Sequence, residues 1–215
     1  MPTGVAIRDA REQLFAAAER VLLRDGPSGL TSRSVTDEAG VAKGVLHRHF
    51  ADFDAFLAEL VVDRAFWIRG LGEDLLTSVG TGTVVDNIAG ALTAVFGSVA
   101  GAIVALIIFR DELRARLRPM WPTGVPLTKE AATMISAYLF AEQDRGRVAA
   151  DADIPVLALT LIGAAHLQFA DRSGESPSPD AVLAMVATVL AGVLVPPPEG
   201  CPRAQPPPDA VTVTP

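Results

Sequence analysis

Leu30–Phe50 reads LTSRSVTDEAGVAKGVLHRHF, two short apolar-patterned segments on either side of one glycine. Thr31 or Ser32 is placed to cap a helix running to about Ala39, because a hydroxyl there accepts a hydrogen bond from a first-turn N–H with no partner inside the helix. Gly40 stands where the chain has to turn sharply, a position that suits a residue free to take positive φ. A second helix follows over roughly Lys43–His49. Two short helices joined by a tight glycine turn form the helix-turn-helix pattern, whose second helix enters a DNA major groove. Val35, Ala39, Val41 and Leu46 are spaced to close the inner side, which leaves Arg33, Lys43, His47, Arg48 and His49 facing outward.

On the N-terminal side, Ile7, Ala10, Leu14, Ala18, Val21 and Leu22 fall near one face at helical spacing, predicting a supporting helix over Ile7–Arg24. Gly26 and Pro27 end it. On the C-terminal side, Asp52 caps a long helix that begins at Phe53 and reaches about Val79. Its apolar side is Phe53, Phe56, Leu57, Leu60, Val61 and Trp67. Gly70 and Gly72 each weaken it by about 1 kcal/mol relative to Ala and predict a bend.

These pieces resemble the DNA-binding domain of the TetR family of transcriptional regulators. The resemblance runs from about Ala10 to Leu60 and is carried by LTSRSV, the AGVAKGVL turn, the RHF ending and the run ADFDAFLAEL. It implies an all-α chain: a three-helix head at residues 1–52, then a helical effector-binding and dimerisation domain at residues 53–195. Lys43 is then placed to reach a guanine edge or a phosphate, and Gly44 to let the backbone near the groove floor. His47, Arg48 and His49 would meet mostly phosphates, which position rather than specify. Thr31, Ser32 and Arg33 sit where a helix N-terminus attracts a phosphate. The chain departs from the family pattern at three places: His47 replaces the usual Tyr, Phe53 the usual Lys, and Ala42 the capping Ser. The departures predict a lost cap of about 1 kcal/mol and one lost phosphate contact per subunit.

The net charge of −7 is unusual for a nucleic-acid binder, but it is unevenly spread. Residues 1–50 hold seven basic against six acidic side chains, and residues 51–215 hold eleven against nineteen, so the acid lies downstream of the head. Cys201 is the sole cysteine, which excludes an intrachain disulfide. No metal or cofactor is expected. Arg8, Asp9, Arg11 and Glu12 interrupt the N-terminus where a signal peptide would be apolar, so a cytoplasmic location is the expectation.

Beyond the head, Thr83 to Asp86 has capping-box character. Ile88–Phe109 then runs 22 residues without a charge. That length suits a membrane span, and Gly97 to Gly101 matches a helix-packing GxxxG. Gly90, Gly97 and Gly101 instead allow the run to split into two helices of a large core, and no membrane partner is expected. Arg110–Arg118, RDELRARLR, reads as a solvated helical end. Pro119, Pro122, Gly124 and Pro126 mark a loop, Thr128 caps a helix from Lys129 to about Arg145, and two apolar helices follow at about 153–171 and 179–195. About nine helices are expected in all, with no strand. Residues 196–215 are rich in Pro and read as an extended, disordered tail.

Family members bind small, often apolar molecules in the helical domain, so the resemblance implies an effector pocket. Its candidates are Trp67, Phe96, Trp121, Met134, Tyr138 and His166, with Phe66 and Phe169 beside them. The polar atoms of Trp121, Tyr138 and His166 are the informative ones, since an apolar pocket needs a few placed polar groups. The last two helices expose more apolar surface than a monomer carries. The resemblance implies that they pair with their copies, giving a homodimer and a palindromic operator in double-stranded DNA. The sequence shows no GxSxG, HExxH, phosphate loop or GxGxxG, and no enzyme is expected. Two other classes compete: a helical ligand-binding or interaction protein with a weakened head, and a membrane-associated protein using residues 88–109.

Overall fold

A computed structural model of the chain describes residues 4–170 and 176–196, with side chains from residue 10 onward. The Pro-rich tail lies almost wholly outside the described residues. Among the described residues there are ten helices: α1 (Gly4–Gly29), α2 (Ser32–Glu38), α3 (Gly44–His49), α4 (Phe53–Thr77), α5 (Val84–Phe96), α6 (Ala100–Phe109), α7 (Asp111–Leu117), α8 (Thr128–Asp144), α9 (Ile154–Phe169) and α10 (Pro179–Leu190). The all-α expectation holds, and the count of nine is corrected to ten. The charge-free run breaks at Gly97–Val99 into α5 and α6, bent by 53°. Arg110, extended at φ −119°, ψ 99°, then separates α6 from α7. No single helix among the described residues is long and apolar enough to cross a membrane.

The helix starts follow from side-chain chemistry. Asp52 accepts the Ala55 N–H at 2.7 Å and caps α4. Thr83 accepts the Asp86 N–H at 3.0 Å and caps α5. The Asp86 carboxylate stays local and accepts the Thr83 hydroxyl at 2.6 Å. Asp153 and Ser178 cap α9 and α10, each with Pro in the first turn. Thr128 does not cap α8; it is the first helical residue, and its hydroxyl donates to the Val125 carbonyl at 2.7 Å. The capping role falls to Glu130, whose carboxylate accepts the Leu127 N–H at 2.8 Å and holds Leu127 at φ +70°. Gly26, at φ 72°, breaks α1 as expected, and the Pro27–Gly29 turn is appended to it.

Leu14, Ala18, Val21 and Leu22 of α1 are buried, as the spacing predicts, and Phe15 and Ala17 join them. Phe15, Phe50 and Phe56 form an aromatic cluster with centroids 5.0–6.0 Å apart, tying α1 and the end of α3 to α4. Ion pairs Arg11–Glu59 and Arg64–Glu19 tie α1 to α4 a second time. α4 is unbroken through Gly70 and Gly72. A Cβ at Gly72 would sit 3.3 Å from Met134 Cγ, so the glycine admits close approach of α8 rather than a bend. α7 is not simply a solvated end: Leu113 and Leu117 are buried, and Arg110 and Arg116 reach the start of α4. One isolated antiparallel bridge, Val148 with Leu194, joins the link after α8 to the segment after α10.

Candidate nucleic-acid interface and effector cleft

The turn between α2 and α3 is closed by its own backbone. The Val41 N–H donates to Thr36 O at 3.0 Å and the Gly40 N–H to Asp37 O at 3.2 Å, with Gly40 at φ +66°. This is the Schellman pattern, in which a left-handed residue lets two carbonyls at the helix end find partners. Thr31 caps α2 reciprocally with Ser34: Thr31 Oγ1 accepts the Ser34 N–H at 3.1 Å, and Ser34 Oγ accepts the Thr31 N–H at 2.9 Å. Val35, Ala39, Leu46 and Phe50 are buried beneath the turn, and Val41 is half-buried. The buried Thr36 hydroxyl returns to the Ser32 carbonyl at 3.0 Å.

This packing turns Lys43, Gly44, His47 and Arg48 outward along α3, all exposed. Among the described residues, no hydrogen bond or ion pair holds the side chains of Lys43, His47 or Arg48. Lys43 is the residue at the N-cap of α3 and gives no side-chain cap, and neither does Ala42 before it. His49 is half-buried, its ring edge-on to Phe50 at 6.5 Å. At the start of α2, Thr31 and Arg33 are exposed and Ser32 is half-buried. Arg33 leans on Asp37 at 3.5 Å, one turn further on. Behind this surface, Arg20 and Arg24 are committed to Glu38 at 2.7 and 2.8 Å, so they brace α1 on α2.

The expected effector residues do not share one site. Trp121 and Met134 line a cleft of about 400 Å³ between α4 and α8, with Arg69, Gly72, Glu73, Leu76, Met120, Lys129, Glu130, Thr133 and Ala137. Phe96 and His166 line a separate opening of about 340 Å³, bordered by Leu23 and Phe169. His166 is half-buried, its ring edge-on to Phe96 at 6.1 Å. Trp67 packs partly buried against the core and faces neither opening. Tyr138 is fully buried and faces neither, because its hydroxyl accepts a hydrogen bond from Asn87 at 2.8 Å. Glu142 also faces Tyr138. Burial first, and the Glu142 carboxylate second, push the phenol up to about 12.

Sequence reasoning missed the polar wall of the α4–α8 cleft. Glu130 is buried, accepts the Trp121 indole N–H at 2.7 Å and lies 3.8 Å from Arg69. A buried carboxylate is retained only with such partners. Lys129 and Glu130 following a Pro-rich loop gave the available signal, but nothing in the sequence pairs them with Arg69, some sixty positions earlier. Between them these residues give the cleft an apolar lining of Leu76, Met120, Trp121 and Met134 beside the charged groups of Arg69, Lys129 and Glu130.

A glycine-turned helix pair braced by α1 and carried on α4 ahead of an all-helical body defines the helix-turn-helix class of regulators. Residues 14–60 match the family of bacterial regulatory proteins, tetR family. Over these residues the chain carries the DNA-binding domain of TetR-family transcriptional regulators. It is 23% identical over 104 residues to the HTH-type transcriptional repressor KstR2 of Mycolicibacterium smegmatis, covering 48% of this chain and 50% of that one. The match thus spans about half the length of that relative. The fold is similar to a TetR-family transcriptional regulator from Agrobacterium tumefaciens, with a TM-score of 0.67 at 11% identity over 88% of this chain and 100% of that one. It is also similar to the regulator FadR of Bacillus subtilis in complex with stearoyl-CoA, with a TM-score of 0.59 at 16% identity over 84% and 95% of the two chains.

Proposed function

We propose that the chain is a homodimeric repressor that binds a palindromic operator and is released by a small apolar effector. On this reading residues 1–52 are the DNA-binding head, residues 53–195 the effector and dimerisation domain, and residues 196–215 a tail. The observation that carries it is the solvent face of α3. Lys43, His47 and Arg48 lie exposed on one short helix, and no ion pair among the described residues occupies them. Basic and polar side chains left without partners beside a turn that buried contacts hold are what phosphate and base-edge contacts require.

Two further observations support the other halves. On α9, Val156, Leu159 and Leu167 are 55%, 65% and 76% exposed, an apolar stripe at helical spacing. On α10, the outer positions Ala184 and Ala187 are small, which suits close helix approach. A second copy of both helices would cover this surface. The α4–α8 cleft offers the effector an apolar lining, and FadR, of similar fold, is in complex with stearoyl-CoA. The effector would select a dimer state whose two α3 helices are wrongly spaced for successive major grooves.

The test uses a duplex enriched from a random pool by the full chain. Lys43→Ala is expected to weaken binding about 10-fold or more, since a good base contact is worth about 1–3 kcal/mol. Arg48→Ala is expected to weaken it less and to lower the salt dependence, as a phosphate contact does. Both should leave the oligomeric state unchanged by size-exclusion chromatography. Wild-type affinity in either variant would remove that residue from the interface.

A further inference from the structure

The start of α4 is gripped by residues some sixty positions later in the chain, at the α6–α7 corner. Asp52 uses one carboxylate oxygen to cap α4 and the other to accept from Arg116 of α7 at 2.8 Å. Asp54 accepts from Arg110 Nε at 2.6 Å. Between the two carboxylates, Phe53 lies under the Arg110 guanidinium, 5.4 Å from ring centroid to Cζ. Phe53 stacks on Phe56 at 5.7 Å, and Phe56 meets Phe50 edge-on at 5.0 Å. Phe50 is the C-cap of α3, its N–H on Leu46 O at 2.9 Å. An unbroken line of contacts therefore runs from the α6–α7 corner to α3.

Both arginines are well anchored at their own end. Arg110 is the extended residue joining α6 to α7. Arg116 rides on α7, whose Leu113 and Leu117 are buried. Half-exposed ion pairs add little to stability. Two of them, with a cap and a cation–π contact, all on the first turn of one helix, instead fix a direction.

We propose that Arg110 and Arg116 are positioning residues for DNA binding. They set the angle at which α3 is presented, and they do so from the α6–α7 corner of the helical body. The proposal rests on the DNA-binding reading above. It also gives Phe53 a part: the position holds a ring for Arg110 to cover.

The experiment uses the full chain and compares wild type with Arg110→Gln/Arg116→Gln, Arg110→Lys/Arg116→Lys and Asp54→Asn. Affinity for the enriched duplex is measured across a salt series, with amide hydrogen exchange over residues 44–60. The Gln pair is expected to lose about 10-fold or more in affinity, with the salt slope unchanged and exchange over 44–60 faster. The Lys pair should recover most of the loss. Asp54→Asn separates positioning from direct contact. Removing an acid near DNA, and freeing Arg110, would tighten binding if Arg110 met a phosphate; positioning requires that it weaken. Unchanged affinity in the Gln pair, a salt slope lowered by about one per arginine removed, or tighter binding by Asp54→Asn would overturn the proposal. If the wild-type chain enriches no duplex, the DNA-binding reading fails. Hydrogen exchange then still decides the grip itself, and unchanged exchange in the Gln pair overturns it.

Discussion

Gly40 carries the turn at φ +66°, and a Cβ built there would meet nothing within 4 Å. The cost of a side chain at this position is therefore conformational rather than steric. Gly40→Ala is expected to destabilise the fold by about 1 kcal/mol, the penalty for holding an L-residue in the left-handed region. Chemical denaturation reads it, and a variant as stable as wild type would mean that the turn relaxes to another geometry. Residues of this kind were legible in the sequence. A capping hydroxyl, a left-handed glycine and an apolar period all act within a few positions, so Thr31, Gly40, Asp52 and Ser178 stand where the letters put them. Glu130 was not legible, because its partners Trp121 and Arg69 arrive by folding. Arg110 and Arg116 were misread as solvated for the same reason: their acids lie 56 and 64 positions away.

At the scale of elements, α8 is joined to the turn between α4 and α5 by buried polar groups. Glu142 is fully buried, accepts the Gly80 N–H at 3.2 Å and pairs with Arg147 at 3.5 Å. Asn87 donates to Tyr138 at 2.8 Å and to the Thr81 carbonyl at 2.9 Å. These groups explain why Tyr138 is a structural residue rather than a cleft residue. They also give a pH dependence. A phenol ordinarily ionises near 10; here burial, then the Glu142 carboxylate, raise it to about 12. A raised folded-state value means that the stability it contributes is fully present below about pH 10 and is lost as pH rises through about 12. The chain has one tyrosine, so phenolate absorbance reads it directly. Titration near 10 with the fold intact would contradict the buried arrangement. The split of the charge-free run into α5 and α6 belongs to this scale too. Its glycines pointed to a break, but only packing chose the site, at Gly97–Val99.

For the whole molecule, α4 is the shared strut. Its first turn carries the grip from the α6–α7 corner, its middle meets α1 through Arg64–Glu19, and its far half forms one wall of the α4–α8 cleft. An effector entering that cleft would push on the same helix that carries α3, which is the physical basis for coupling in the proposed mechanism. This arrangement was only half legible. The head could be read because its logic is local. The cleft could not, because six candidate residues chosen for chemistry fell into two openings and the core. The apolar stripe of α9 was legible in kind, and under the proposed pairing of two copies it would set the symmetry of the target.

The most direct test of the central claim is therefore selection of bound duplexes from a random pool by the full chain at about 0.15 M salt, where weak charge contacts are partly suppressed. The account predicts a two-fold symmetric motif, with half-sites separated by about one helical turn or a multiple of it. Recovery of no motif, from chain shown to be folded and dimeric, would contradict the account and leave a helical ligand-binding protein whose head no longer reads DNA.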